Sequence, residues 1–307
     1  MYVIVDPVND DTKGITTYSN LLYDLLRKNN IDAFLIRKRI DQDIKCFYEE
    51  IAQRIDVKKH LFEIPDSYCY LFNHEARVHI RLHGNQTVLQ KIQGHSIDTA
   101  RQAAEEKRIL ESEYISSPSE SNFLETAKFI HIKKCSIYPN PVPEAETTFW
   151  MPRDIEILFL GRFQRLKGVE FIRPIEKILN KKILVYSKNF NPLNKLFYHF
   201  APSVIPKKNL LRRTKVVIIP SLFESFFMVK YEALSNGCKV VTWDTTPCSD
   251  YELKNGVFVA KAFHPDDFAQ KITDALNDKC EYDFRLISKK INELVLRNIR
   301  NIIEAKQ

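Results

Sequence analysis

The sequence predicts an α/β protein built from two Rossmann-like, doubly wound halves. Three observations carry that prediction. The chain has 307 residues, too many for one ordinary core and suited to two domains of roughly 150 residues each. Residues 216–243 read as a buried strand, a short loop, a helix and a second buried strand, the unit from which parallel sheets with covered faces are made. Residues 2–26 follow the same order near the start of the chain: a short apolar strand, a polar loop, a single glycine and an amphipathic helix.

Composition sets the outer bounds. Apolar residues are 44% of the chain and the mean hydropathy is −0.29, as in a soluble globular protein. No apolar run approaches the roughly 20 residues of a membrane span, and residues 1–6 lack the charged start of a secretion signal. Cytoplasmic placement is therefore expected, with contact at a membrane surface left open. The six cysteines (46, 69, 135, 238, 248, 280) contain no Cys-x-x-Cys. Free thiols in a reducing compartment fit them better than disulfides or zinc. The net charge of +7 reads as ordinary solvation, or as a match to a phosphate-rich ligand or an anionic membrane; no nucleic-acid-binding motif accompanies it. Only seven glycines occur, at 14, 84, 94, 161, 168, 237 and 256, so each is expected where the backbone needs it.

In the N-terminal half, residues 2–5 form the first strand. Gly14 then opens a helix whose face is Ile15, Tyr18, Leu21, Leu22, Leu25 and Leu26. Gly14 is either a plain turn glycine or a point of close approach at the sheet's carboxyl edge. Residues 33–36 are the second strand, followed by the basic cluster Arg37, Lys38 and Arg39, solvated or facing anionic lipid. Residues 41–55 read as helix; residues 68–72 and 78–82 read as strands. Arg81-Leu82-His83-Gly84 places a histidine at a strand end, a structural residue or one that points into the crevice of Gly14. Residues 96–110 are a polar helix, 114–117 a strand edge and 122–129 a short helix. Ser136-Ile-Tyr-Pro-Asn-Pro-Val142 closes the half, and residues 141–152, rich in proline and acidic side chains, are the linker.

The C-terminal half opens with a buried strand at 155–160, which ends in Gly161-Arg-Phe-Gln-Arg-Leu-Lys-Gly168. A basic loop at a helix N-terminus suits a diphosphate, although surface charges beside a turn would look the same. Pro174 starts or kinks the next helix. Residues 182–186 are a strand, with Ser187-Lys188 after it, and residues 203–206 a short extended segment. Residues 216–219 form a strand that Pro220 stops. The loop 221–225 leads into a helix with Phe226, Phe227, Val229, Ala233 and Leu234 at helical spacing, and Gly237 supplies its left-handed C-terminal turn. Glu224 and Glu232 bracket the helix start, as a cap and a solvated face or as ligand-holding carboxylates. Residues 239–242 and 257–260 are strands, with a turn at Asn255-Gly256 between them. Pro265-Asp266-Asp267 begins a helix, and the apolar spacing from Phe284 to Ile302 predicts one last long helix.

Pro220-Ser221 and Glu224-Ser-Phe, followed by Glu232-Ala-Leu and Gly237-Cys-Lys-Val-Val, resemble the signature of the retaining glycosyltransferases of family 4, which have the GT-B fold. Gly161-Arg162 with Lys167-Gly168, and Pro139-Asn-Pro-Val142, resemble further family motifs, in order and at family spacing. The resemblance implies an N-terminal acceptor-side domain over 1–143 and a nucleotide-sugar-binding domain over 152–282. It also implies a helix over 283–307 that packs back toward the first domain, with a coiled-coil dimer helix as the alternative. By the match, Arg162 and Lys167 hold the nucleotide diphosphate, Glu224 orients the sugar and Glu232 accepts from the ribose. Ser225, Phe226, Phe227 and Met228 line the donor where loop meets helix. His83 and Gly14 face the donor from the other domain. Phe227 departs from the family, which usually has glycine there; its amide remains usable only with the ring turned away. The single Gly14, where the family often has two glycines, and Ser187, where it tends to have one, are further departures.

The implied activity is transfer of a hexose from a UDP- or GDP-linked sugar to a glycan, glycolipid or glycoprotein acceptor, with retention. No cofactor is expected. No Asp-x-Asp pair lies on a suitable loop (Asp10-Asp11 and Asp266-Asp267 precede helices), so no metal is expected and fixed cations must neutralise the leaving group. A nucleotide-sugar-binding subunit without turnover, or a nucleotide-sugar epimerase, is the alternative. The chain is expected to be a monomer or homodimer.

Overall fold

The computed structural model describes residues 1–10, 13–145, 152–187, 190–202, 204–245 and 256–305. The calls on Asp11, half of the linker (146–151), Lys188, Ser203, Cys248 and Asn255 lie outside the described residues. The chain divides into two compact units, Met1–Pro141 with Lys290–Gln307, and Val142–Lys289.

The first unit runs β1 (Tyr2–Asp6), α1 (Gly14–Lys28), β2 (Ala33–Arg37), α2 (Ile44–Arg54), β3 (Leu61–Pro65), β4 (Arg77–Arg81), α3 (Gln86–Ile92), α4 (Thr99–Leu110), β5 (Tyr114–Ser117), α5 (Glu120–Ala127) and β6 (Ser136–Ile137). The strands form one parallel sheet in the order β2-β1-β3-β4-β5-β6. The order reverses between β1 and β3, the kind of place where such sheets take ligands. One face packs Val3, Val5, Phe62, Ile64, Val78 and Ile80 against Phe47, Tyr48 and Ile51 of α2 and Ile109 of α4. Helix α2 is capped by Asp43, whose carboxylate accepts from the amides of Lys45 and Cys46.

Two expectations are corrected here. Residues 68–72 are no strand: Tyr68 adopts a left-handed φ of 67° and turns the chain into a single 3₁₀ turn, Cys69–Leu71. The strand lies at Leu61–Pro65 instead. The polar helix begins at Thr99 rather than 96, after the Asp98 cap, and α3 precedes it unannounced.

The other face of this sheet carries buried charge. Glu63, His79 and Arg81 are at most 2% exposed. Glu63 accepts from the hydroxyls of Tyr2 (2.5 Å) and Tyr18 (2.6 Å) and lies 3.2 Å from His79 Nδ1. His79 Nε2 is 2.6 Å from Ser116 Oγ. Arg81 donates to Ser116 Oγ, the Tyr138 carbonyl and Asn140 Oδ1 at 2.8–3.0 Å. Burial alone would raise the Glu63 carboxyl, but His79 and the two tyrosine hydroxyls outweigh it and hold it at about 2.

The second unit runs β7 (Ile155–Leu160), α6 (Ile172–Leu179), β8 (Leu184–Tyr186), β9 (His199–Phe200), α7 (Lys207–Arg213), β10 (Thr214–Ile219), α8 (Met228–Ser235), β11 (Lys239–Trp243), β12 (Val257–Ala260), α9 (Pro265–Asn277) and α10 (Phe284–Glu304). Its parallel sheet has the order β12-β11-β10-β7-β8-β9, that of dinucleotide-binding folds, and it reverses between β7 and β10. Val216 and Ile218 pair with Ile157 and Phe159 across that junction. Ile172 and Ile175 of α6 and Phe268, Ala269 and Ile272 of α9 cover one face, around Trp243. Pro174 falls in the first turn of α6, where its missing N–H is harmless. Cys46, Cys69, Cys135, Cys238 and Cys280 are free thiols.

From Lys290 onward α10 belongs to the first unit. There Val295, Leu296, Ile299 and Ile302 complete a core with Tyr2, Ile4, Tyr18, Leu22 and Leu26. The last helix thus crosses back to the first domain. The fold is two α/β units, each built on a parallel six-stranded sheet.

Candidate active site

The two central strands of the second unit each end in a loop at the point where strand order reverses. The loop after β7 runs Gly161-Arg162-Phe163-Gln164 into a 3₁₀ turn, Arg165–Lys167, and then Gly168. The loop after β10 runs from Pro220 to Phe227 and into α8. The two are joined by backbone. The Leu222 amide donates to the Leu166 carbonyl at 3.0 Å, and Gly168 holds φ at +71° so close to Pro220 that a Cβ there would sit 1.7 Å from its carbonyl oxygen. Only glycine permits that approach.

This contact brings three sequence-distant side chains together. Lys167 Nζ lies 2.6 Å from Glu224 Oε1, and the hydroxyl of the buried Ser221 donates to the same oxygen at 2.7 Å. The lysine and glutamate side chains are 20% and 15% exposed, withdrawn from bulk water yet reachable. A carboxylate held by two charge-assisted or hydroxyl donors on one oxygen has a fixed orientation. Arg162 stays exposed on the same loop and does not join this cluster. Arg165 pairs at 3.8 Å with Glu170. The Phe163 amide donates to Ser187 Oγ at 3.1 Å, so the serine standing where a glycine was expected ties the loop to the end of β8.

Helix α8 begins at Met228, two residues later than its apolar spacing suggests, with Phe227 just before it and no side chain capping it. Phe226 stacks on Tyr231 with centroids 4.9 Å apart. The Phe227 ring is 2% exposed and lies 5.3 Å from Lys230 Nζ, which is also 4.7 Å from the Tyr231 ring. The aromatic faces accommodate this buried ammonium, and the ring points into the protein. Ser225 is half-buried and Met228 buried at the junction. Glu232, one turn into α8, meets Lys207 Nζ at 2.7 Å through its Oε1, with its own side chain 13% exposed. Lys207 was not singled out in the sequence; Ser221 was, as part of the Pro220-Ser221 signature, but without its bond to Glu224.

The remaining two candidates lie in the first unit. Gly14 is the exposed first residue of α1. His83 follows β4, and its ring packs edge-on against Tyr18 of α1, centroids 4.4 Å apart. Its loop is firmly held. The His83 amide donates to Asp66 Oδ1 (3.0 Å), the Leu82 amide to the Ser116 carbonyl (2.8 Å), and Asn122 Nδ2 to the Leu82 carbonyl (3.0 Å). Burial, with Arg81 and His79 near, pushes the imidazole down to about 3, so His83 is neutral at ordinary pH. Asp66 is pushed the other way, up to about 7, by burial. Among the described residues no three His, Cys, Asp or Glu side chains converge as a metal site.

Comparison with known proteins supplies the rest. Residues 154–278 match the family model Glycosyl transferases group 1. The chain is 31% identical over 150 residues to D-inositol 3-phosphate glycosyltransferase of Paenarthrobacter aurescens (strain TC1), a match covering 41% of this chain and 36% of that protein. Sucrose-phosphate synthase of Thermosynechococcus elongatus superposes with a TM-score of 0.67 at 11% identity, over 98% of this chain and 99% of that one. The E. coli trehalose-6-phosphate structure bound with UDP-2-fluoro glucose superposes at 0.66 and 9%, over 97% and 95%. Residues 154–278 thus match the glycosyl transferases group 1 model, within a chain that has the GT-B fold.

Proposed function

We propose that this protein is a retaining glycosyltransferase that moves a hexose from a UDP- or GDP-linked sugar to a glycan, glycolipid or glycoprotein acceptor, without a metal ion. The observation that carries the reading is the Lys167–Glu224–Ser221 cluster at the switch point of the second sheet. Lys167, Arg162 and the amides at the start of α8, beside Ser225, Phe226, Phe227 and Met228, neutralise the departing diphosphate. Glu224, its orientation fixed, takes the sugar hydroxyls. Glu232, steadied by Lys207, takes the ribose. The inward Phe227 ring leaves its backbone open to the donor. His83 and Gly14 serve from the first unit, the imidazole as a neutral hydrogen-bonding group rather than as a proton donor. In the transfer the acceptor oxygen bonds to the anomeric carbon as the bond to the diphosphate oxygen breaks, and the acceptor's proton passes to the leaving phosphate.

The relative crystallised with UDP-2-fluoro glucose supports this donor class. Calorimetry against UDP-, GDP- and ADP-sugars, followed by an assay of nucleoside diphosphate release, tests it. One donor is expected to bind and hydrolyse slowly, and Glu224→Ala or Lys167→Ala to abolish release. Tight binding with no release under any acceptor would assign a binding subunit instead.

A further inference from the structure

The chain's positive charge is concentrated in one stretch of its sequence. Residues 177–223 contain ten Lys or Arg and no Asp or Glu, more net charge than the +7 of the whole chain. Three of these cations are neutralised by acids from elsewhere: Lys181 by Glu156, Arg213 by Asp154 and Lys207 by Glu232. Within the same stretch stand the most exposed apolar side chains that lie close together: Leu193 is 65%, Leu196 76% and Phe197 56% exposed. No other run of the described residues puts three exposed large hydrophobics within five positions.

The local structure makes these three a ridge. Asn191 caps the 3₁₀ turn Pro192–Leu196 by accepting from the Leu193 amide at 3.0 Å, and Pro192 pre-sets its first residue. Residues three apart eclipse on such a turn, so Leu193 and Leu196 stand one above the other, and Phe197 follows. The base is fixed from below: Phe190 stacks on Phe200 at 3.9 Å, and Phe200 and Tyr198 pack on Phe163. Cations flank the ridge. The Arg173 guanidinium lies 5.5 Å from the Phe197 ring and Lys195 Nζ 5.6 Å from that of Phe190. Lys177, one turn after Arg173 on α6, is exposed.

We propose that this ridge docks the second unit onto an anionic lipid bilayer, with Leu193, Leu196 and Phe197 entering the headgroup–acyl boundary and Arg173, Lys177 and Lys195 meeting lipid phosphates. A rigid apolar wedge ringed by long cationic side chains suits an interface that is apolar below and negative above. The proposal does not depend on the reaction proposed for the Lys167–Glu224 site.

The test is co-sedimentation of the whole protein with phosphatidylcholine vesicles, with and without phosphatidylglycerol. Binding is expected only to the anionic vesicles, weakening with salt. Arg173→Glu with Lys195→Glu should lower it by at least about fivefold for each cation lost. Leu193→Ser with Leu196→Ser should lower it by about tenfold or more, with circular dichroism unchanged because both side chains are mostly in water. Phe197→Trp should shift its emission to the blue on binding. Absence of binding to anionic vesicles overturns the proposal. So does undiminished binding of the double-serine variant, which would mean adsorption by charge alone. Capture by an acidic polypeptide such as poly-glutamate in preference to vesicles would assign the face to a protein partner and equally overturn it.

Discussion

Gly168→Ala tests the contact that assembles the site. The substitution forces an L-residue to φ +71°, which costs about 1–2 kcal/mol. It also sets a Cβ 1.7 Å from the Pro220 carbonyl oxygen and 2.6 Å from its carbon. Both are backbone atoms, so the loops must part, and the Leu222–Leu166 hydrogen bond is lost at about 1 kcal/mol. With the repacking that follows, a destabilisation of about 3–5 kcal/mol is expected. For a unit of this size that lowers the melting temperature by about 10 °C or more, read by differential scanning calorimetry. Gly161→Ala is the matched control. Its Cβ would meet nothing closer than 3.7 Å, so stability should stay within about 0.5 kcal/mol while donor affinity falls if the diphosphate lies against that backbone. A Gly168→Ala protein that melts within about 2 °C of the parent would refute the reasoning.

The other expectations concern buried charge. Lys207→Met leaves Glu232 without the cation that steadies it; donor affinity by calorimetry should fall about tenfold, with Lys207→Arg restoring most of it, and an unchanged affinity would remove Lys207 from the site. Asp66, raised to about 7 from 3.8, lowers stability only when ionised. The penalty is absent below about pH 4, grows as pH rises to about 7, and is full above, on the order of 4 kcal/mol. Asp66→Asn should therefore flatten the melting temperature between pH 4 and 8; an equal difference from the parent at both ends contradicts this. Glu63 has the opposite sign. Its carboxyl, lowered to about 2 from 4.5, contributes about 3 kcal/mol above pH 4.5 that is lost as pH falls through about 2. Glu63→Gln should lose stability at neutral pH and unfold less steeply in acid, as followed by circular dichroism.

What the sequence revealed and what it hid divide along one line. Strands β7, β10 and β11 announced themselves because parallel strands covered on both faces are continuous apolar runs. The glycine-bracketed loop and the pair of glutamates were visible because their spacing along the chain is short. Strand β3 was missed because Leu-Phe-Glu-Ile-Pro carries a charge in its middle, and Glu63 is tolerable only through Tyr2, Tyr18 and His79, up to 61 residues away. Residues 68–72 looked like a strand through their aromatic content, which does not reveal the left-handed Tyr68. His79 was passed over for want of a motif, yet its whole role lies in partners that only folding brings near. Lys207 was hidden in the same way, since a lysine's partner is not written beside it.

The placement of α10 has a consequence for how the protein comes into being during synthesis. Tyr2, Ile4 and Leu22 are made well before Val295 and Ile299, which cover them and come nearly three hundred residues later. A nascent chain that has just finished its first sheet still shows that oily face to the cell, and no amount of waiting can close it. The first unit's core is completed only once translation delivers its own lid.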